Sequence, residues 1–311
     1  MNDGKITVGV ISWYSTDQIR DLFDSLIANA AHLENIEFVI CDNTGGKDTR
    51  LSEVFGPYYK ILRFSPSVPK EWKPRRAAGS YAHGMGLNYL MDQIQTEFCL
   101  FTDPDCMVLM KGWDIRLKTM LDPKHIAAGA PYHSSKIAKY HNFPSPIFSF
   151  FNLTAYKNIQ ADWTPYRLTL TTIITDQIRR IPAIIGGYLG YKIWGGSFYI
   201  SKTAEFMRLV FGNSGKDTGW RIAKSAKKEG YAARLLTTAV VHNQLAPILI
   251  GKQSIIDLMT EYELFLLDGI PFVTHLYSSG HRGKGNLNKA DQRWRALAIS
   301  SREILNTTKL V

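Results

Sequence analysis

Over the first hundred residues, short apolar runs alternate with amphipathic periods, the pattern that predicts βαβ units and a mainly parallel sheet. Ile6 to Ile11 reads as a first strand. Behind it Ile19, Leu22, Phe23, Leu26, Ile27 and Ala30 fall on one helical face, and Ser15 with Gln18 offers a capping box at the start. Ile36 to Cys41 reads as a second strand and runs into the turn sequence Asp42-Asn43-Thr44-Gly45-Gly46. A stretch over 64–79 rich in Pro, Lys and Arg predicts an irregular basic loop. Leu87, Leu90, Met91 and Ile94 then take core spacing on a helix, and Phe98 to Thr102 reads as a buried strand that stops at Asp103-Pro104-Asp105.

Residues 131–190 lose periodicity and mix aromatics, prolines and polar residues, which predicts an insertion of long loops with a short helix or two. Order returns with a strand at Ser197 to Ile200, helices at Thr203 to Phe211 and from Asp217 to about Glu229, and a strand at Thr237 to His242. Beyond Pro247 the pattern predicts a helix over Ser254 to Leu267, a short run at Phe272 to Tyr277, a basic Gly-rich stretch, and a final amphipathic helix over 289–305. The expected organisation is a main α/β domain over 1–245, with 131–193 inserted, and a C-terminal extension over 246–311.

The composition of the 311 residues, 45% hydrophobic and 21% charged, is that of a globular chain and excludes disordered and collagen-like classes. Lys plus Arg number 37 against 27 acids, so the +10 surface favours polyanions, phosphorylated small molecules or an anionic membrane face. Cys41, Cys99 and Cys106 form no CxxC pair, which argues against a disulfide framework or zinc cluster and for a reducing cytoplasm. The most apolar stretch, Ile181 to Ile200, is broken by Pro182, Lys192 and five glycines, so the expectation is a soluble or peripheral protein.

Asp103 and Asp105, two carboxylates one residue apart at the C-terminal end of a buried strand, can address one hard cation; a capped turn is the ordinary alternative. Asp217 opens a basic helix, as an N-cap or as a carboxylate able to act as a general base. His275 after a short strand could complete a metal site, and Arg282 and Lys284 in a Gly-rich loop could cover a phosphate, the alternative being a solvated loop. Other chemistries find no support. Gly45-Gly46-Lys47-Asp48 is not a P-loop, Gly84-Met85-Gly86 lacks the third Gly of a dinucleotide fingerprint, and neither GxSxG nor HExxH occurs. Basic residues are scattered and no RRM, KH or zinc signature emerges, so no nucleic-acid partner is expected.

The order Ile6-Thr-Val-Gly-Val-Ile-Ser-Trp-Tyr-Ser, Phe38-Val-Ile-Cys-Asp42-Asn43, Gly79 to Asn88 and Phe101-Thr-Asp103-Pro-Asp105 resembles the nucleotide-sugar half of a GT-A glycosyltransferase of the family-2 type. Trp194-Gly195-Gly196-Ser197-Phe198-Tyr199-Ile200 resembles its Gly-Gly strand on the acceptor side, and Lys216-Asp217-Thr218-Gly219-Trp220 stands where the family has its acidic catalytic motif. The resemblance implies a Rossmann-like, mainly parallel sheet flanked by helices, with an inserted acceptor region and a C-terminal helical extension that completes the active site. It implies Mn²⁺ or Mg²⁺ on Asp103, Asp105 and His275, the last chosen over His281 and His242. It implies a UDP- or GDP-linked sugar donor contacted by Ser12, Trp13, Tyr14, Asp42, Gly79 and Asp103, with Arg75, Arg76, Arg282 and Lys284 as cationic support. Asp217 would be the general base of an inverting transfer to a glycan or lipid-linked acceptor, lined by Trp194, Gly195, Gly196 and Trp220, with Trp163 nearby. His83-Gly84 departs from the more typical Asn-Gly pair. The expected setting is cytoplasmic; Arg282 to Lys289 with the last helix, including Trp294, Leu297 and Ile304, could lie on an anionic membrane if the acceptor is lipid-linked, the alternative being a helix packed on the catalytic domain. A sugar-phosphate nucleotidyltransferase and a noncatalytic nucleic-acid-binding protein are the alternative readings.

Overall fold

Every residue of strand β1, Ile6–Ser12, is buried, because parallel strands flank it on both sides within the sheet and helices pack on the sheet faces above it. Those neighbours are β2, Ile36–Asp42, and β4, Phe98–Thr102, and β3, Lys60–Arg63, lies outside β2. The sheet continues from β4 through β7, Phe148–Asn152, and β6, His125–Gly129, to β8, Ala232–Leu235, giving seven strands in the order β3-β2-β1-β4-β7-β6-β8. Only β7 runs against the rest. The computed structural model describes residues 4–70, 78–132, 139–159, 161–165, 217–239, 244–276 and 287–308.

Helix α1, Thr16–Asn29, covers this sheet with Ile19, Leu22, Phe23 and Leu26, the face read from the sequence. Its capping box does not form. Ser15 Oγ donates to Trp13 O at 3.2 Å, and the first turn closes through Ile19 N–H on Ser15 O. Helix α2, Thr49–Phe55, is capped by Asp48, which accepts from Leu51 N–H at 3.1 Å. Helix α3, Ala78–Gln93, buries Leu87, Leu90 and Met91. Helix α4, Trp113–Thr119, anchors through Trp113, whose Nε1 donates to Leu26 O at 2.9 Å, and Asp114, which accepts from Ala31 and His32 N–H. Helix α5, Leu153–Lys157, follows β7 directly.

A second sheet of four strands has the order β5-β11-β10-β9: Cys106–Val108, Ile270–His275, Glu263–Leu267 and Thr237–Thr238. A separate apolar cluster packs it against α7, Gln253–Glu261, and α8, Leu287–Thr307, with Leu258, Leu264 and Trp294 fully buried. Helix α6, Trp220–Lys228, belongs to the first core through Ile222 and Ala226.

Three further sequence expectations are corrected. The helix expected over Ser254 to Leu267 ends at Glu261, and 263–267 is a strand of a hairpin turned at Asp268-Gly269, both in left-handed conformation. An Asp-Gly pair between apolar runs is a hairpin signal that outweighs the helical period. The segment read as looped insertion holds β7, where Phe148, Phe150 and Phe151 pack at the centre of the sheet. The helix expected from Asp217 starts at Trp220, with Gly219 (φ +82°) as its N-cap. The strand at 197–200 and the helix at 203–211 lie outside the described residues.

Candidate active site

Parallel register sets the edge of the site. Ser12 pairs with Asp42 and Val10 with Thr102, so Ser12, Asp42 and Asp103 lie at three neighbouring strand ends, on the carboxyl edge where α/β sheets bind ligands. Asp103-Pro104-Asp105 joins the two sheets, leaving β4 of the first and entering β5 of the second. Asp103 N–H donates to Ile147 O at 3.0 Å. On the far side His275 pairs with Cys106, and Leu276 N–H donates to Asp105 O at 3.0 Å. Backbone pairing thus brings the two carboxylates to one imidazole.

One ligand atom from each of Asp103, Asp105 and His275 lies within 4.8 Å of the others. His275 Nε2 is 3.2 Å from Asp105 Oδ1 and 4.0 Å from Asp103 Oδ2, while the other Asp103 oxygen faces His83 Nε2 of α3 at 3.6 Å. His275 Nδ1 is 2.8 Å from Glu263 Oε2, and both of these residues are buried. Burial works against a charge on His275, but the attraction of Asp105 and the hydrogen bonds to Asp105 and Glu263 outweigh it and raise its pKa to about 10. Two carboxylates and an imidazole form a hard-to-borderline donor set that suits Mg²⁺ or Mn²⁺.

Next to this cluster the strand ends carry exposed aromatic surface. Trp13 and Tyr14 are 61% and 58% exposed, stack edge to face at 5.7 Å, and follow a Ser12 hydroxyl that is buried without a hydrogen-bond partner. Tyr14 sits at φ +54°, a left-handed conformation uncommon for a bulky residue and concentrated at functional sites. Asp42 is fully buried; its Oδ1 accepts from Thr44 N–H (2.9 Å) and Thr44 hydroxyl (2.6 Å), and its Oδ2 from Gly46 N–H (2.8 Å). The carboxylate therefore holds the loop that leaves β2.

No protein-family model and no curated protein matches this sequence. Solved structures align with half of the chain or with nearly all of it. S. aureus TarS 1-349 is 18% identical over 50% of this chain and 48% of its own, with a TM-score of 0.34; its complex with UDP-GlcNAc gives 18%, 50% and 47%, also at 0.34. The mannosyltransferase PcManGT from Pyrobaculum calidifontis, in complex with GDP-Man and Mn²⁺, is 11% identical over 98% of this chain and 88% of its own, with a TM-score of 0.39. These neighbours are glycosyltransferases. The chain spans about half the length of the TarS structures, 48% of the first.

Asp217 is ion-paired with Lys139 and accepts from Thr218 N–H at 2.9 Å. Thr218 ties this loop to the site, its hydroxyl donating to Ser80 O of α3 and its carbonyl accepting from Tyr140. Gly79 is exposed in the first turn of α3, with open space beside its Cα. Trp220 is half-buried against the first core, with Lys224 over its ring. Trp163, expected near an acceptor cleft, is instead 1% exposed and packs edge-on to Phe101 and Phe151. Arg75, Arg76, Arg282, Lys284, Trp194, Gly195, Gly196, His242 and His281 lie outside the described residues. Sequence reasoning missed Glu263, whose position in a strand opposite His275 was hidden by the helix expected there. His83, in the sequence only a departure from a motif, lies one helical turn before the buried Leu87, a spacing that puts both on one face of α3.

Proposed function

We propose that this chain is a metal-dependent glycosyltransferase that moves a sugar from a nucleoside-diphosphate sugar to an acceptor hydroxyl. The observation that carries the reading is the convergence of Asp103, Asp105 and His275 at the carboxyl edge of the parallel strands. These three residues would hold Mn²⁺ or Mg²⁺, which when bound neutralises the charge that grows on a leaving diphosphate. Trp13 and Tyr14 offer aromatic faces for the nucleoside base, and the unpartnered Ser12 hydroxyl offers it a hydrogen bond. Asp42 shapes the neighbouring loop through its three bonds rather than through a free oxygen facing the ligand.

Asp217 is the group that takes the acceptor proton as the hydroxyl attacks the anomeric carbon, which makes the transfer inverting. Lys139 holds its carboxylate in place. Arg76, Arg282 and Lys284 supply further positive charge to the diphosphate, and Trp194, Gly195, Gly196 and Trp220 line the acceptor side. Residues 246–311 complete the site through His275. Glycans and lipid-linked sugars are the acceptors to test; among the described residues no helix is long and apolar enough to cross a membrane.

The test is release of UDP or GDP from the corresponding nucleotide sugars with Mn²⁺ and a panel of acceptors. Asp105→Ala should abolish turnover; Asp217→Asn should keep donor binding and lose transfer. Full transfer by Asp217→Asn contradicts its role as base.

A further inference from the structure

Resting on the metal-dependent reading, we propose that Glu263 is a positioning residue: it fixes the His275 ring so that Nε2 faces the cation held by Asp103 and Asp105. Strand register makes the pair. Glu263 of β10 lies directly opposite His275 of β11, so the two side chains leave the sheet on one face, and Glu263 Oε2 stands 2.8 Å from His275 Nδ1. With Glu263 ionised its carboxylate only accepts, which assigns the hydrogen to Nδ1. The other ring nitrogen is then the one turned towards Asp105 and Asp103, at 3.2 and 4.0 Å. Both members are buried, Glu263 at 6% and His275 at 4% exposure, so removing the carboxylate leaves a buried ring N–H without its partner, at a cost in orienting the ring. Glu263 is not one of the three groups whose ligand atoms converge, which separates its role from that of a ligand.

The fold also holds Glu263 in place. Thr274 hydroxyl donates to Glu263 O at 3.0 Å and accepts from Trp294 Nε1 at 3.2 Å, while Tyr262 hydroxyl donates to Ala290 O at 3.0 Å. Helix α8 therefore clamps the strand pair that carries the dyad. A metal-bound histidine oriented by a buried carboxylate loses roughly 10–100-fold in metal affinity when that partner is removed.

The experiment titrates Mn²⁺ alone into the full chain and reads free Mn²⁺ by electron paramagnetic resonance, with wild type, Glu263→Gln and Glu263→Leu compared. Glu263→Gln keeps an acceptor for Nδ1–H and should lose about tenfold in affinity; Glu263→Leu should lose about 100-fold. A Glu263→Leu chain that melts cooperatively and binds Mn²⁺ as wild type does overturns the proposal. Should that variant not fold, nitrogen-15 resonances of the wild-type His275 ring with Mg²⁺ decide. Hydrogen on Nδ1 with Nε2 ligated supports the assignment, and hydrogen on Nε2 overturns it. A wild-type chain that takes up no Mn²⁺, with or without UDP or GDP, overturns the metal reading itself, an outcome distinct from an insensitive Glu263→Leu.

Discussion

Three glycines on α3 make opposite predictions although they share one helix. At Gly84 a Cβ would lie 2.6 Å from Trp163 O, 2.8 Å from Thr164 Cα and 2.9 Å from Trp163 C. That backbone cannot rotate aside, and it is pinned by Asn88 on Trp163 N–H and by Asp162, which accepts from Asn88, Thr164 and Arg221. At Gly86 the clash is with the Asn43 amide, Oδ1 at 2.4 Å, and relieving it would break the Asn43 Nδ2 bond to Ala82 O. At Gly79 nothing lies within 4 Å. Replacing Gly by Ala inside a helix gains up to about 1 kcal/mol, overpacking costs about 1–3 kcal/mol, and a lost hydrogen bond costs about 1 kcal/mol. Gly84→Ala, whose neighbour is backbone that cannot move, should therefore destabilise by about 2 kcal/mol and Gly86→Ala by about 1–3 kcal/mol, while Gly79→Ala is neutral or stabilising by less than about 1 kcal/mol. Urea unfolding followed by tryptophan fluorescence measures all three. The packing account of α3, and with it the placement of His83 against Asp103, is refuted if Gly84→Ala is as stable as Gly79→Ala.

Asp42→Ala removes three hydrogen bonds to a buried carboxylate and should cost on the order of 3 kcal/mol, with Asp42→Asn intermediate because one oxygen acceptor remains; urea midpoints in the same buffer test the order. Stability should also depend on Asp21. Burial raises its pKa to about 6, against the attraction of Arg295 at 2.6 Å and with the help of Asp291. Between about pH 4 and 6 the native chain then binds more protons at this site than the unfolded chain, so its contribution to stability falls as pH rises through that window, by about 1–2 kcal/mol after allowance for partial exposure. Asp21→Asn should flatten the profile of melting temperature between pH 4 and 7, and an unchanged slope would contradict the assignment.

The parallel half of the sheet was legible because doubly buried strands such as Ile6 to Ser12 and Phe98 to Thr102 write nearly continuous apolar runs, and turn residues punctuate them. Asp103, Asp105 and His275 were legible as types at strand ends, the resemblance to a family supplying their pairing. Their geometry was not, since it depends on β5 pairing with β11 across more than 160 residues of sequence. Short strands hid in mixed surroundings: β7 follows Pro144 and Pro146, though the alternation Phe148-Ser149-Phe150 was its signal. Glu263 was invisible for a related reason, as Leu264, Phe265, Leu266 and Leu267 prolong the apolar pattern of α7 and only the Asp268-Gly269 turn tells strand from helix. Gly84 and Gly86, which look like a broken phosphate motif, are places where other chain segments touch α3.

The most direct test of a cation-dependent nucleotide site is a thermal-shift measurement with UDP, GDP, CMP, TDP and ADP, each with and without Mn²⁺, on wild type and Asp105→Ala. A ligand that binds only the native state stabilises it by mass action, about 2.7 kcal/mol at a hundredfold excess over Kd, which is a rise of a few degrees for a chain of this size. The account predicts such a rise with one nucleoside diphosphate, dependent on Mn²⁺ and absent in Asp105→Ala. A folded wild-type protein that shifts with none of them, or an Asp105→Ala chain that shifts as far as wild type, contradicts it.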